Sequence, residues 1–181
     1  MSHFRLARLC LLLAAVGLNT APALMTSAHA QKEAAAPANT VRPELAKILD
    51  SNALQPLIAA KNTTELQARI TQADAIPNKT PYENYVLNRI KMSHASLTNN
   101  DAGILAAADE VVKSGFEPKE TQAKLVLAMA NIQYNAKNYA AATEQLKRYE
   151  AMGGNMAEAR TLQSRAQYLG KDYTGAKTQL A

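Results

Sequence analysis

The sequence predicts an all-α chain, an α-solenoid of about four antiparallel helix pairs, and three observations lead there. Residue types return after 34 positions: Tyr134 with Tyr168, Tyr139 with Tyr173, Ala142 with Ala176, Leu146 with Leu180, and Ala130 with another small residue, Ser164. A fixed step of this size marks stacked repeats. From Pro43 onward the apolar residues recur at threes and fours, the period of a helix with one buried face. Caps, prolines and glycines punctuate that pattern at helix-length intervals.

Residues 1–30 stand apart from the fold. Arg5 and Arg8 precede the apolar run Leu9 to Leu18, and Ala28-His29-Ala30 sits just before Gln31. A basic head, a short apolar run and an Ala-x-Ala end describe a secretory signal peptide. The run is too short to span a bilayer, which takes about twenty residues. The expected location is therefore periplasmic, or secreted, after cleavage near Ala30, with no transmembrane segment in the remaining chain. Cys10 is the only cysteine and falls in the removed segment, so the remainder has no thiol for a disulfide, a metal site or a nucleophile. Residues 31–42, rich in alanine with Pro37, Asn39 and Thr40, read as a flexible leader.

Residues 43–181 read as one helical repeat domain with units of about 43–77, 78–115, 118–154 and 155–181. In the first unit, Leu45, Ile48, Leu49, Leu57 and Ile58 suggest helix with a break at Ser51-Asn52 and an interruption or kink at Pro56. A helix over about 63–75 then buries Leu66, Ile70 and Ala73. The second unit opens on Thr80-Pro81-Tyr82-Glu83, a cap, a first-turn proline and a capping-box glutamate. Its helix runs through Leu97, Asn99-Asn100-Asp101 turns the chain, and the partner helix ends at Ser114-Gly115. Ala108 stands 34 residues before Ala142 and Val112 stands 34 before Leu146, which extends the register back one unit. Leu66 to Ala108 is then 42, which places an expected insertion of about eight residues around the Pro77 to Pro81 connection or in a longer helix.

In the third unit a helix from about Lys124 to Ala136 buries Leu125, Met129, Ile132 and Ala136. Asn138 caps a second helix that runs to about Met152 with Ala142, Leu146 and Tyr149 inward. Gly153 and Gly154 end it. The fourth unit repeats this order but is incomplete: its second helix begins near Asp172 and the sequence stops at Ala181. A solenoid normally ends on a polar capping helix. Either the sequence is truncated, with a longer carboxyl-terminal part lost, or something else covers that end; truncation is the expectation.

The string Ala130, Tyr134, Tyr139, Ala142, Leu146, Tyr149, answered by Ser164, Tyr168, Tyr173, Ala176, Leu180, resembles the tetratricopeptide repeat family. With the leader, it resembles exported tetratricopeptide proteins of Gram-negative bacteria. The family's usual glycine late in the first helix is Ala130 here, and its usual boundary proline is Gly154. The resemblance implies that the first helix of each unit lines a concave face for a protein or peptide partner. Lys124, Asn131, Tyr134, Asn135, Arg165 and Tyr168 are the positions it places there, joined by His94 if the upstream register holds. The tyrosines would offer rings and hydroxyls to an extended peptide, with Asn131, Asn135 and Arg165 meeting its backbone or a carboxylate; packing between units is their other use. The basic and asparagine clamp that some members use for terminal carboxylates is not matched.

No catalytic, cofactor or metal constellation is written in the chain. His94 is the only histidine after residue 30, Asp109 and Glu110 point different ways on a helix, and no glycine-rich phosphate loop occurs. Twenty basic residues against fifteen acidic ones become 18 against 15 once Arg5 and Arg8 are removed, and they are interleaved. Without a basic stripe, nucleic-acid binding has no electrostatic footprint. Asn62-Thr63-Thr64 and Asn78-Lys79-Thr80 match glycosylation acceptors, but capping explains both. The expected role is a non-catalytic adaptor or scaffold of the bacterial envelope. Two alternatives are a structural protein that self-associates through the Tyr173 to Leu180 end, and the helical accessory part of a longer enzyme.

Overall fold

The computed structural model describes residues 39–179. The expected signal peptide, residues 31–38 of the leader, and Leu180 lie outside them. The described residues form nine helices and no strand: α1 (Pro43–Ile48), α2 (Ser51–Ala59), α3 (Thr63–Ala75), α4 (Pro81–Leu97), α5 (Asp101–Ser114), α6 (Lys119–Asn135), α7 (Tyr139–Ala151), α8 (Met156–Leu169) and α9 (Tyr173–Thr178). α4 pairs with α5, α6 with α7 and α8 with α9, while α5 packs on α6 and α7 on α8. α1 and α2 together pack on α3, and α3 on α4. Helix hairpins stacked in chain order are the fold.

One elbow recurs in all four hairpins. Lys61, Asn99, Lys137 and Lys171 take left-handed backbone angles, with φ of 53°, 52°, 63° and 67°. The residue after each, Asn62, Asn100, Asn138 or Asp172, is the N-cap of the next helix. The backbone N–H of each pair closes the preceding helix: Lys137 N–H to Tyr134 O and Asn138 N–H to Gln133 O, and likewise Lys171 to Tyr168 and Asp172 to Gln167. The left-handed residue therefore satisfies the carbonyls that a helix end leaves orphaned, and the next residue starts a new helix without a loop. Asn62, Asn100 and Asp172 also cap with their side chains, accepting from Glu65, Gly103 and Gly175 N–H. Asn138 does not; its amide donates to Gln133 Oε1 at 3.0 Å.

These caps correct the expected register. Asn62, Asn100, Asn138 and Asp172 stand 38, 38 and 34 residues apart. Counted from them, Ile104 matches Ala142 and Ala108 matches Leu146, so the 34-residue step holds only between the last two units. No eight-residue insertion exists. The longer step arises because α4 and α6 have 17 residues and α8 has 14, nearly one turn less. The break in the first unit falls at Leu49-Asp50 rather than Ser51-Asn52, with Asp50 accepting from Asn52 N–H, and α2 continues through Pro56. α6 begins at Lys119, five residues before Lys124, and Ala136 is exposed rather than inward.

The buried apolar residues form two clusters. One gathers Leu45, Leu49, Leu54, Leu66, Ile70, Ala73, Leu87 and Ile90 from α1 to α4. The other runs from Tyr85 and Met92 through Val111, Val126, Met129 and Leu146 to Ala159. Arg42, the last residue of the expected leader, ties the first unit to the second. Its guanidinium and backbone N–H donate to the fully buried Glu83 carboxylate, and it also reaches the Pro77 and Asn78 carbonyls. Burial alone would raise the Glu83 carboxyl, but the Arg42 bonds and the Thr80 N–H outweigh it and hold it at about 2. Deeper in the stack, Tyr85 donates to Glu117 at 2.9 Å with Arg89 beside both, and burial foremost pushes the Tyr85 hydroxyl up to about 12.

Gly153 and Gly154 end α7 as expected, for different reasons. Gly153 has φ 78°, while a Cβ on Gly154 would overlap the ring of Tyr149. That ring cannot swing away freely, because it is buried and its hydroxyl accepts from Asn155 N–H at 2.9 Å. Gly154→Ala is therefore expected to cost about 1 to 3 kcal/mol as an overpacked site, against about 1 kcal/mol for the backbone strain of Gly153→Ala. Thermal unfolding followed by circular dichroism checks the order.

Candidate functional site

Three of the six expected groove residues meet. Tyr134 on α6 and Arg165 and Tyr168 on α8 line one groove of about 640 Å³, which α9 completes with Tyr173 and Lys177. Leu169 forms its lip, and Ser164 and Ala176 form its floor, where Ser164 Oγ donates to the Ala176 carbonyl at 3.3 Å. The helical period explains the meeting on α8: Arg165, Tyr168 and Leu169 are three and four residues apart and share a face. α9 is brought over that face by the Lys171-Asp172 elbow.

The other three stand elsewhere. Lys124, Asn131 and Asn135 form an exposed stripe on α6 outside the groove lining. Lys124 pairs with Glu120, and the Asn131 amide donates to the Leu127 carbonyl of its own helix at 2.9 Å. His94 does not join the groove either. It is half-buried in a separate cleft of about 350 Å³ among α3, α4 and α5, near Asn88, Lys91 and Glu110. With the corrected register His94 stands six residues before its cap, as Ile132 does, and both are half-buried. Lys91 in that cleft is held by Asp74 at 2.6 Å.

Ring geometry repeats along the stack. Tyr134 and Tyr139 meet edge to face at 5.7 Å and 62°, and Tyr168 and Tyr173 at 5.4 Å and 65°. The surroundings differ. The inner pair is half-buried, with Gly170 at the end of α8 lying against Tyr139. Tyr168, Leu169 and Tyr173 are 62%, 45% and 59% exposed, and they are the exposed large hydrophobic residues among those described. In the sequence Tyr173 marks the end expected to self-associate, and nothing singles out Leu169 or Lys177 for the groove. An apolar residue directly before Gly170 was the available signal for Leu169.

Cations outnumber carboxylates around the groove. Among the described residues Arg160, Arg165, Lys171 and Lys177 enter no ion pair. On the preceding helices Lys91, Lys113, Lys124, Lys147 and Arg148 are paired with carboxylates, while Lys119 and Lys137 enter no ion pair among the described residues. The two acids of this hairpin are occupied locally: Glu158 accepts from Asn155, and Asp172 caps α9. The result is an aromatic surface with a cationic rim. Such a surface binds by burying rings and attracting carboxylates. No three His, Cys, Asp or Glu side chains among the described residues gather closely enough to hold a metal ion. No described helix is long and apolar enough to cross a membrane.

Compared with known proteins, the chain matches no family model, no curated protein and no solved structure. Its function is therefore argued from its own geometry.

Proposed function

We propose that the chain is a tetratricopeptide-like adaptor of the bacterial envelope that binds a protein or peptide, without catalysis, in the groove between α6, α8 and α9. The observation that carries this reading is the cluster of exposed Tyr168, Leu169 and Tyr173 on one hairpin. Rings and a leucine left in water on one site, with cations around them, mark an interaction surface rather than scattered surface residues. The periplasmic or secreted location rests on the leader sequence, and the family reading on the tyrosine and alanine string.

A photoreactive side chain placed at Tyr168 and, separately, at the exposed Lys119 of α6 tests it in intact cells. Discrete adducts at position 168, lost on Arg165→Glu and lacking at position 119, are the expected result. Equal labelling at both positions, or none at 168, overturns the groove.

A further inference from the structure

We infer that the occupant of this groove is an amphipathic α-helix with acidic flanks, supplied by another protein, rather than an extended peptide. The inference rests on the adaptor reading above and goes beyond it in naming the partner's chemistry.

The first argument is what the groove lacks. An extended segment brings a row of backbone N–H and C=O groups that must find partners. The residues expected to meet them were Asn131 and Asn135, and both stand outside the groove. Ser164 is already bonded to Ala176 O. The remaining polar groups of the lining are the Tyr134, Tyr168 and Tyr173 hydroxyls and the Arg165 and Lys177 cations, all side chains carried on helices, so among the described residues no sheet edge or row of free backbone groups is present to pair with an extended strand. A helix satisfies its own backbone and asks only for apolar contact.

The second argument comes from the chain's own packing. The inner Tyr134 and Tyr139 pair has the same edge-to-face geometry as the outer one. A helix end lies against it: a Cβ on Gly170, at the close of α8, would stand 3.3 Å from the Tyr139 Cβ. The turn that closes α8 therefore packs beside the elbow residue of the inner pair, which is half-buried. Tyr168 and Tyr173 of the outer pair have no such cover among the described residues and are 62% and 59% exposed.

Charge selects the partner. A second copy docking by its own end would set Arg165 and Lys177 against their duplicates, and like charges disfavour that pairing. A helix with Glu or Asp along both edges of its apolar face places carboxylates against those cations.

A displayed library tests this on the full chain. It holds helical peptides of one apolar face with acidic, neutral or basic flanks, beside proline-locked extended peptides carrying the same residues. Enrichment of acidic-flanked helices is expected. Tyr168→Ser should weaken the enriched peptides about thirtyfold. The exposed pair Arg165→Glu and Lys177→Glu should weaken them about tenfold and favour basic flanks instead. Circular dichroism confirms that each variant keeps its helices.

Enrichment of extended peptides that need Tyr168 overturns the helix and leaves the adaptor reading intact. Enrichment insensitive to Tyr168, or no enrichment at all, overturns both. Concentration-dependent sedimentation of the chain alone, abolished by Tyr168→Ser, would show a second copy as the occupant and also overturns the proposal.

Discussion

Glu83→Ala is expected to destabilise the protein by about 2 to 4 kcal/mol, because it leaves the Arg42 and Thr80 backbone N–H groups without an acceptor, while the Arg42 guanidinium, 34% exposed, can turn to water. The carboxylate is fully buried and bonded by Arg42 at 2.8, 2.9 and 3.0 Å and by Thr80 N–H at 2.8 Å. Removing it strips the Arg42 guanidinium of its partner and α4 of its capping box together. The pair also has a pH signature. Folding lowers the carboxyl from 4.5 to about 2, so the unfolded chain binds the proton more readily. The stabilisation is complete above about 4.5 and is lost as pH falls from there towards 2, about 3 kcal/mol in all by linkage. Urea unfolding at pH 7 and at pH 3 should show about 2 kcal/mol of that loss in the wild type, and less in Glu83→Gln. Parallel loss in both proteins would remove the Arg42 clamp as its origin.

That clamp was half legible in the sequence. Thr80, Pro81 and Glu83 declare a helix start by local rules, and the structure has all three in those roles. Arg42 sits 41 residues away in a stretch of leader composition, and no local rule links it to Glu83. Helix existence, most inward faces and the elbows at Asn62, Asn100, Asn138 and Asp172 follow from spacing and capping alone; Ala136, at the end of α6, is the inward position that does not. The unit length does not follow either. Four residues advance a helix by a little more than one turn, so shifting Ala108 from Ala142 to Leu146 leaves every inward residue inward. Apolar periodicity is blind to that slip, and only the caps resolve it. Tyr134, Arg165 and Tyr168, which repeat or neighbour a repeat, line one groove. Asn131 and Asn135 share an exposed face of α6 outside that lining, because the short α9 sets which face of α8 the groove uses.

Leu146→Ala is expected to cost about 2 to 5 kcal/mol, and its effect should be uneven along the chain. Leu146 is fully buried on α7, which packs on both α6 and α8. Beyond it α8 is poorly supplied with apolar groups. Gln163 occupies the place that Met129 holds one unit earlier, and the amide oxygens of Gln145, Gln163 and Gln167 are buried without a hydrogen-bond partner. Hydrogen exchange should therefore show α8 and α9 opening first in Leu146→Ala, while α3 and α4 keep their protection. Leu66→Ala is the matched truncation in the other cluster. In a stack of hairpins each residue reaches only its neighbours, so the two losses should add within about 0.5 kcal/mol in the double variant. A single closed core would couple them, and a coupling well above that margin, or uniform loss of protection in either single variant, would mean that the hairpins do not act in series.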